Sequence, residues 1–156
     1  MDQEKDLKMA LQIAHCVSDA GGRAYYVGGC VRDAVLHRGS KDIDIEIHGI
    51  SPECLEQILS TLGEPVTMGS SFGILGLRHY GLDISMPRKD EKDSRGGKNF
   101  YDVVDPFAGT EKAARRRDLT INAMMQDVLT GEIIDHFGGM ADLQKGIIRQ
   151  IGRAHV

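Results

Sequence analysis

Tyr26-Val-Gly-Gly-Cys-Val-Arg-Asp-Ala-Val-Leu-His-Arg-Gly-Ser-Lys-Asp-Ile-Asp-Ile-Glu-Ile47 joins a glycine turn to an acidic strand. Ala24 to Val27 reads as an apolar strand ending at Gly28 and Gly29, where a backbone without Cβ atoms can turn tightly. Val31 to Leu36 then reads as a short helix whose first free N–H groups face that turn, an arrangement that attracts anions. Arg32 falls in the first helical turn, where the helix dipole disfavours a cation, so it is expected to point at an anion that offsets this cost. Asp33, next in the chain, is placed to hold the guanidinium.

From Asp42 the pattern changes to strict alternation, with Ile43, Ile45 and Ile47 on one face of a strand and Asp42, Asp44 and Glu46 on the other. Carboxylates two residues apart on a strand lie roughly 6.5–7 Å apart along its axis, close enough for two of them to grip the same pair of divalent cations. Mg²⁺ suits such a site, because it is held by few carboxylates together with substrate phosphates and water. An isolated Asp-x-Asp would more simply be the solvated face of a half-exposed strand. The glycine turn and Arg32 upstream favour the metal reading. Neither GxGxxG nor GxxxxGK[ST] occurs, which removes support for a dinucleotide fold or a P-loop and leaves a metal-dependent site for a phosphorylated substrate.

Gly28-Gly-Cys-Val-Arg-Asp33, followed ten residues after its arginine by Asp42-Ile-Asp44, resembles the signature of the class II tRNA nucleotidyltransferase and bacterial poly(A) polymerase family. Arg116-Arg-Asp-Leu-Thr-Ile-Asn-Ala123 resembles a second element of that family, RRDxTINA, and the likeness covers essentially all 156 residues. The resemblance implies an α+β domain with the DNA polymerase beta-like nucleotidyltransferase fold, a mixed β-sheet covered by helices. It further implies that Asp42 and Asp44 are catalytic and hold two Mg²⁺ ions, while Gly28, Gly29, Arg32 and Asp33 bind the nucleotide. Arg117 and Asp118 would contact the phosphate and ribose of the incoming nucleotide, the aspartate accepting from a 2′-hydroxyl. The implied reaction is transfer of AMP or CMP from ATP or CTP to the 3′ end of tRNA, with release of pyrophosphate. Poly(A) addition by the same chemistry is one alternative. A non-catalytic nucleotide-binding domain of the same fold is another, against which stand the intact Asp42, Asp44 and Arg32.

Composition sets limits independently. A chain of 156 residues is about one domain's worth, and a net charge of −4 with a pI of 5.8 argues against a broadly basic surface for nucleic acid. Any RNA contact is expected to be local. Cys16, Cys30 and Cys54 are odd in number and widely spaced, which suits reduced thiols in a cytoplasmic protein better than a disulfide framework or zinc cluster. The six histidines show no paired ligand spacing. No apolar run approaches membrane-spanning length, and neither a membrane nor a stable protein partner is expected.

In order along the chain, Gln3 to Ala20 reads as a helix with Leu7, Leu11, Ala14 and Val17 as its packed stripe, ended by Gly21-Gly22. Ser51-Pro52 caps and starts a third helix with Leu55, Ile58, Leu59 and Leu62 buried and Gly63 as its stop. Pro65 to Met68 reads as a strand, and Ile74 to His79 with Leu82 to Met86 as a hairpin turning at Tyr80-Gly81. The return strand puts Leu82, Ile84 and Met86 on one face and Asp83 on the other. The resemblance makes Asp83 the candidate third catalytic carboxylate, with a solvated strand residue as the equal alternative. Pro87 to Tyr101 is a charged stretch read as a mobile loop; in the family a loop here influences addition of the final A, which argues against a CC-only enzyme. Thr110 is expected to cap a short helix that runs into Arg115-Arg-Arg117, and Asn122 to brace the following turn in preference to its alternative role of supporting the Asp118 contact with the nucleotide. Ile121 to Val128 and Glu132 to His136 read as a last hairpin before a short helix at Ala141 to Lys145. The chain reads as a nucleotidyltransferase head domain over residues 1–156. The resemblance implies that base selection and most tRNA binding belong to the family's neck, body and tail, which are expected to lie outside these residues.

Overall fold

The computed structural model describes residues 2–35, 43–67, 74–89 and 103–151. Asp42, Leu36, Met68 and most of the charged stretch, from Asp90 to Tyr101, lie outside the described residues.

Helix α1 (Asp2–Asp19) is followed by strand β1 (Arg23–Val27), helix α2 (Gly29–Val35) and strand β2 (Ile43–His48). Then come α3 (Pro52–Leu62), β3 (Pro65–Thr67), β4 (Ile74–Leu77) and β5 (Leu82–Ser85). The last part holds α4 (Thr110–Arg115), a 3-10 turn (Thr120–Asn122), β6 (Met125–Asp127), β7 (Ile133–Ile134) and α5 (Gly139–Lys145). Among the described residues the strands form one seven-stranded sheet in the order β3-β4-β5-β2-β1-β6-β7. Only β2 and β5 run parallel; the other neighbours are antiparallel. This is the expected α+β arrangement, a mixed sheet with helices packed on it.

The isoleucine face of β2 defines the core. Ala24, Ile43, Ile45, Ile47, Leu75, Leu82 and Ile84 are all buried there, beneath α1 and α3. The stripe of α1 that packs on it is Met9, Ala10, Ile13, Ala14 and Val17, while Leu7 and Leu11 remain 41% and 40% exposed, contrary to the sequence expectation. The fully buried Ala10 and Ala14 let the helix axis approach the sheet closely, which turns the longer Leu7 and Leu11 out to the flank. Asp6 anchors the start of this stripe by accepting from the Gly81 N–H at 3.0 Å, and Gly81 in turn accepts from the Ile43 N–H at 3.4 Å. These two hydrogen bonds at one glycine set the start of β2 beside the start of β5.

Helix α3 follows its sequence signals. The Ser51 hydroxyl accepts from the Cys54 N–H, Pro52 is the first helical residue, and Leu55 and Leu59 are fully buried. Two later expectations fail. Thr110 does not cap α4: the cap is Gly109, and Thr110 is already helical, its hydroxyl 2.9 Å from His136 Nε2. Nor does the strand of the last hairpin begin at Ile121. Thr120 donates its hydroxyl to the buried Asp142 at 2.6 Å and Asn122 accepts from Arg32, so these side chains hold a 3-10 turn that local β propensity does not reveal. β7 stops after Ile134 because Asp135 accepts from the N–H groups of Gly139 and Met140 at the start of α5.

Candidate active site at the glycine turn

Alternation along the central strands sends Asp44, Glu46 and His48 of β2, Asp83 and Ser85 of β5, and Tyr25 and Val27 of β1 to the face opposite the isoleucines. The parallel register pairs Asp44 with Asp83 and Glu46 with Ser85. Asp44 and Asp83 therefore stand side by side on adjoining strands, both half-buried. Such a pair presents hard oxygen donors of one charge on one patch, a donor set that fits a divalent cation of the Mg²⁺ type. Asp42, the other half of the Asp-x-Asp motif, lies outside the described residues.

Gly28 closes the end of β1 with φ +69°, a conformation that favours glycine. A Cβ there would meet Asp44 Oδ2 at 3.5 Å and Arg117 Nη1 at 3.8 Å. The glycine turn, the acidic strand and the RRD element thus converge on one point, although they stand about 16 and 89 residues apart in the chain. Cys30 secures the turn to β2, its thiol donating to the Val27 and Asp44 carbonyls at 3.1 and 3.6 Å. Burial pushes that thiol up from its ordinary range, so it stays a neutral donor.

Arg32 is held rather than free. Its Nη1 donates to Asn122 Oδ1 at 3.1 Å and its Nε to Asp33 Oδ1 at 3.3 Å, while Nη2 lies 3.2 Å from where a Gly29 Cβ would sit. Asp33 therefore does hold the guanidinium. Asn122, expected to brace its own turn, instead spends its side-chain oxygen on Arg32, a contact between the two sequence motifs. Helix α2 begins at Gly29, two residues earlier than expected, so Arg32 is the fourth of its seven residues. The dipole argument for Arg32 does not apply at that position; the two tethers and the adjacent glycine turn account for its direction.

Arg117 reaches two ways, its Nη1 toward Gly28 and its Nη2 donating to Glu46 Oε2 at 3.5 Å. Glu46 shares the acidic face as expected, yet it is buried and already engaged, its Oε1 accepting from His48 Nε2 at 2.7 Å. Asp118 is exposed and its backbone carbonyl accepts from the Ile151 N–H. Its side chain borders an open groove of about 1530 Å³, whose cations include Lys89, Lys112, Arg115 and Arg117. A second hollow of about 610 Å³ reaches the polar face at Glu46, Ser85 and Arg117. Of the residues singled out in the sequence, the structure brings Gly28, Gly29, Arg32, Asp33, Asp44 and Arg117 together, sets Asp83 beside Asp44, and puts Asp118 at the adjoining groove. Sequence reading missed both partners of Glu46: His48 is signalled by its place two residues along the same strand face, whereas Arg117, 71 positions away, leaves no local pattern.

Residues 24–149 match the Poly A polymerase head domain family. The chain belongs to it. Among curated relatives, the Multifunctional CCA protein of Nitrosomonas europaea is 39% identical over 134 residues, covering 86% of this chain and 31% of the relative. The CCA-adding enzyme of Lactobacillus johnsonii is 33% identical over 145 residues, covering 93% of this chain and 35% of that enzyme. The head domain thus spans about a third of the length of these relatives. Among solved structures, the Bacillus stearothermophilus CCA-adding enzyme in complex with CTP superposes with a TM-score of 0.74 at 32% identity, over 96% of this chain and 34% of the other. The Thermotoga maritima CCA-adding enzyme complexed with tRNA gives 0.69 at 27% identity, over 93% and 32%. The polymerase beta-like fold expected from the motifs is the fold these head domains share.

Proposed function

We propose that this head domain binds ATP and CTP at the glycine turn and transfers AMP or CMP to the 3′ end of tRNA, releasing pyrophosphate, as part of CCA addition in the cytoplasm. The observation that carries this reading is the convergence at Gly28, with the Asp44 carboxylate 3.5 Å and the Arg117 guanidinium 3.8 Å from the position of a Cβ. One side offers anion for a metal and the other offers cation for phosphate.

Asp44, with Asp42 two residues before it in the sequence and Asp83 beside it on β5, would hold Mg²⁺. Bound there, the ion supplies charge neutralisation at the α-phosphate and makes the RNA 3′-hydroxyl easier to deprotonate. The chain's own residues position the substrate. Gly28 and Gly29 let the triphosphate approach the backbone, Arg32 is pre-oriented by Asn122 and Asp33 toward its outer phosphates, and Arg117 neutralises charge on the other side of the turn. Asp118, exposed at the groove, accepts from the ribose 2′-hydroxyl. Proximity and preorganised charge carry the acceleration, and no protein nucleophile is required.

Two measurements test this. Calorimetric titration with ATP and with CTP should show binding that needs Mg²⁺; absence of Mg²⁺-dependent binding for both would sink the reading. Incubation of the gene product with a tRNA transcript lacking its terminal CCA and labelled nucleotides should extend the RNA by the missing residues only. Because the matching family is described by poly(A) polymerase, the same gel reads the other activity: a long run of A residues would replace CCA addition with poly(A) addition.

A further inference from the structure

We infer that Glu46 is a positioning residue for nucleotide binding, acting through Arg117, and that it belongs to the structure of the site and not to its metal-binding carboxylates. The inference rests on the proposed triphosphate site and names a residue that builds it.

An arginine close to a phosphate site has more freedom than the site can use. Its guanidinium carries five N–H donors on a long side chain, and binding must fix that side chain at an entropic cost. A carboxylate that occupies one edge of the fork beforehand removes the cost. Glu46 has that geometry. Its side chain is 8% exposed, Arg117 keeps 35% of its own exposure, and one amine of the fork, Nη2, is 3.5 Å from Glu46 Oε2. The other amine, Nη1, is the one directed at Gly28. The fork is therefore divided between a buried anchor and an edge that faces the glycine turn.

The anchor is itself fixed. Glu46 Oε1 accepts from His48 Nε2 at 2.7 Å, and the His48 and Tyr25 rings pack nearly perpendicular with centroids 5.1 Å apart. Tyr25 lies opposite Glu46 in the β1–β2 register, so all three side chains stand on one face of two paired strands. A metal at Glu46 would have to share its carboxylate with the Arg117 guanidinium, whose positive charge repels a cation placed beside it. Each oxygen already accepts one hydrogen bond, from His48 and from Arg117, and the metal reading falls to Asp44 and its neighbour Asp83, two residues nearer the glycine turn along the strand.

The test is a binding cycle on the intact chain with MgATP as the probe, using wild type, E46Q, R117A and the double variant. E46Q keeps the shape and removes the charge, so Arg117 loses its anchor. E46Q should weaken MgATP binding about tenfold, the range expected when a charge-assisted contact is lost. It should have no further effect once Arg117 is gone. That loss of effect in the R117A background is what a merely structural role would not produce. The unfolding midpoint of each variant, followed by circular dichroism, reads packing separately; if E46Q does not fold, E46M, an apolar replacement of similar volume, takes its place in the cycle. E46Q binding MgATP as wild type does, or weakening it equally with and without Arg117, would overturn the inference. Failure of wild type to bind MgATP at all would instead strike the proposed function beneath it.

Discussion

On the helix-covered face of the sheet Ile45, Ile47 and Ile84 have no exposed surface, whereas Asp44, Asp83 and Ser85, on the other side of the same two strands, all keep part of theirs. The two faces are built from alternate residues of the same segments, and they are held by different physics. The isoleucine face is fixed by close packing, which is insensitive to charge and intolerant of lost volume. The polar face is fixed by point contacts, Arg32 to Asn122 and Asp33, Arg117 to Glu46, and Glu46 to His48. Those contacts tolerate changes of volume but not of charge. A strand of six residues can thus carry the core and the chemistry together, because a period of two keeps them apart.

Neighbouring substitutions should separate the two faces most sharply. Asp44→Asn should abolish nucleotidyl transfer, a loss of at least ~10²-fold, while leaving the unfolding midpoint near wild type; Asp42→Asn should behave alike. Ile45→Ala, the next residue, should cost about 2–5 kcal/mol of stability through a cavity in the core. Activity assays and thermal melts on the same preparations check both arms, and near-normal transfer by Asp44→Asn would remove the metal assignment.

A smaller effect is expected at the turn. Arg32→Ala should weaken triphosphate binding by about 1.5–3 kcal/mol, the worth of a hydrogen bond to a charged group, and monophosphate binding by less. Titrations with ATP and AMP decide the matter. Equal weakening of the two would mean that Arg32 serves only its contacts with Asp33 and Asn122.

The contrast between the faces also explains what the sequence disclosed. Alternation in β2 and β5 exposed the division into core and carboxylates, and glycines 28 and 29 marked the turn, because these signals are local. Ser51-Pro52 likewise announced α3. What remained hidden depends on partners far along the chain. The 3-10 turn at Thr120–Asn122 is set by Asp142 and Arg32, and the engagement of Glu46 by Arg117. The error in α1 has another cause: helical spacing admits two overlapping stripes, and only the close approach permitted by Ala10 and Ala14 selects between them.

Acid should loosen the polar face before the apolar one. Burial alone would raise the carboxyl of Asp127, but the N–H groups of Thr130 and Leu129 together with the Arg23 guanidinium outweigh it and hold the group below its ordinary 3.8. Hydrogen bonds from Thr120 and Arg149 lower Asp142 likewise. For a group depressed in the folded state, the stabilisation is present above the unfolded value and is lost as pH falls through the folded one. The unfolding midpoint should therefore be flat from neutral pH to about 5 and fall below about 4. Asp127→Asn should lower the midpoint at neutral pH and shrink the acid-induced drop, as melts at a series of pH values would show. An acid drop of unchanged size in that variant would place the sensitivity elsewhere.

The smallest expected effect concerns the base. Rejecting a wrong base requires buried polar groups that match its edges, since only an unmatched group left without a partner carries a large penalty. The groups assembled at the glycine turn are Arg32, Arg117 and Asp44, with Asp118 at the groove beside them. In the proposed site each is committed to phosphate, ribose or metal, which leaves no group assigned to the base edge. The four ribonucleoside triphosphates should accordingly bind this chain within about 1.4 kcal/mol of one another, a tenfold spread. All four should need Mg²⁺, and dATP should bind more weakly than ATP because it offers Asp118 no 2′-hydroxyl. Parallel titrations of the five nucleotides under one set of conditions measure this. A clear preference for ATP and CTP would show that base reading begins on the polar face itself, and would send the search for its donors to the groove beside Asp118.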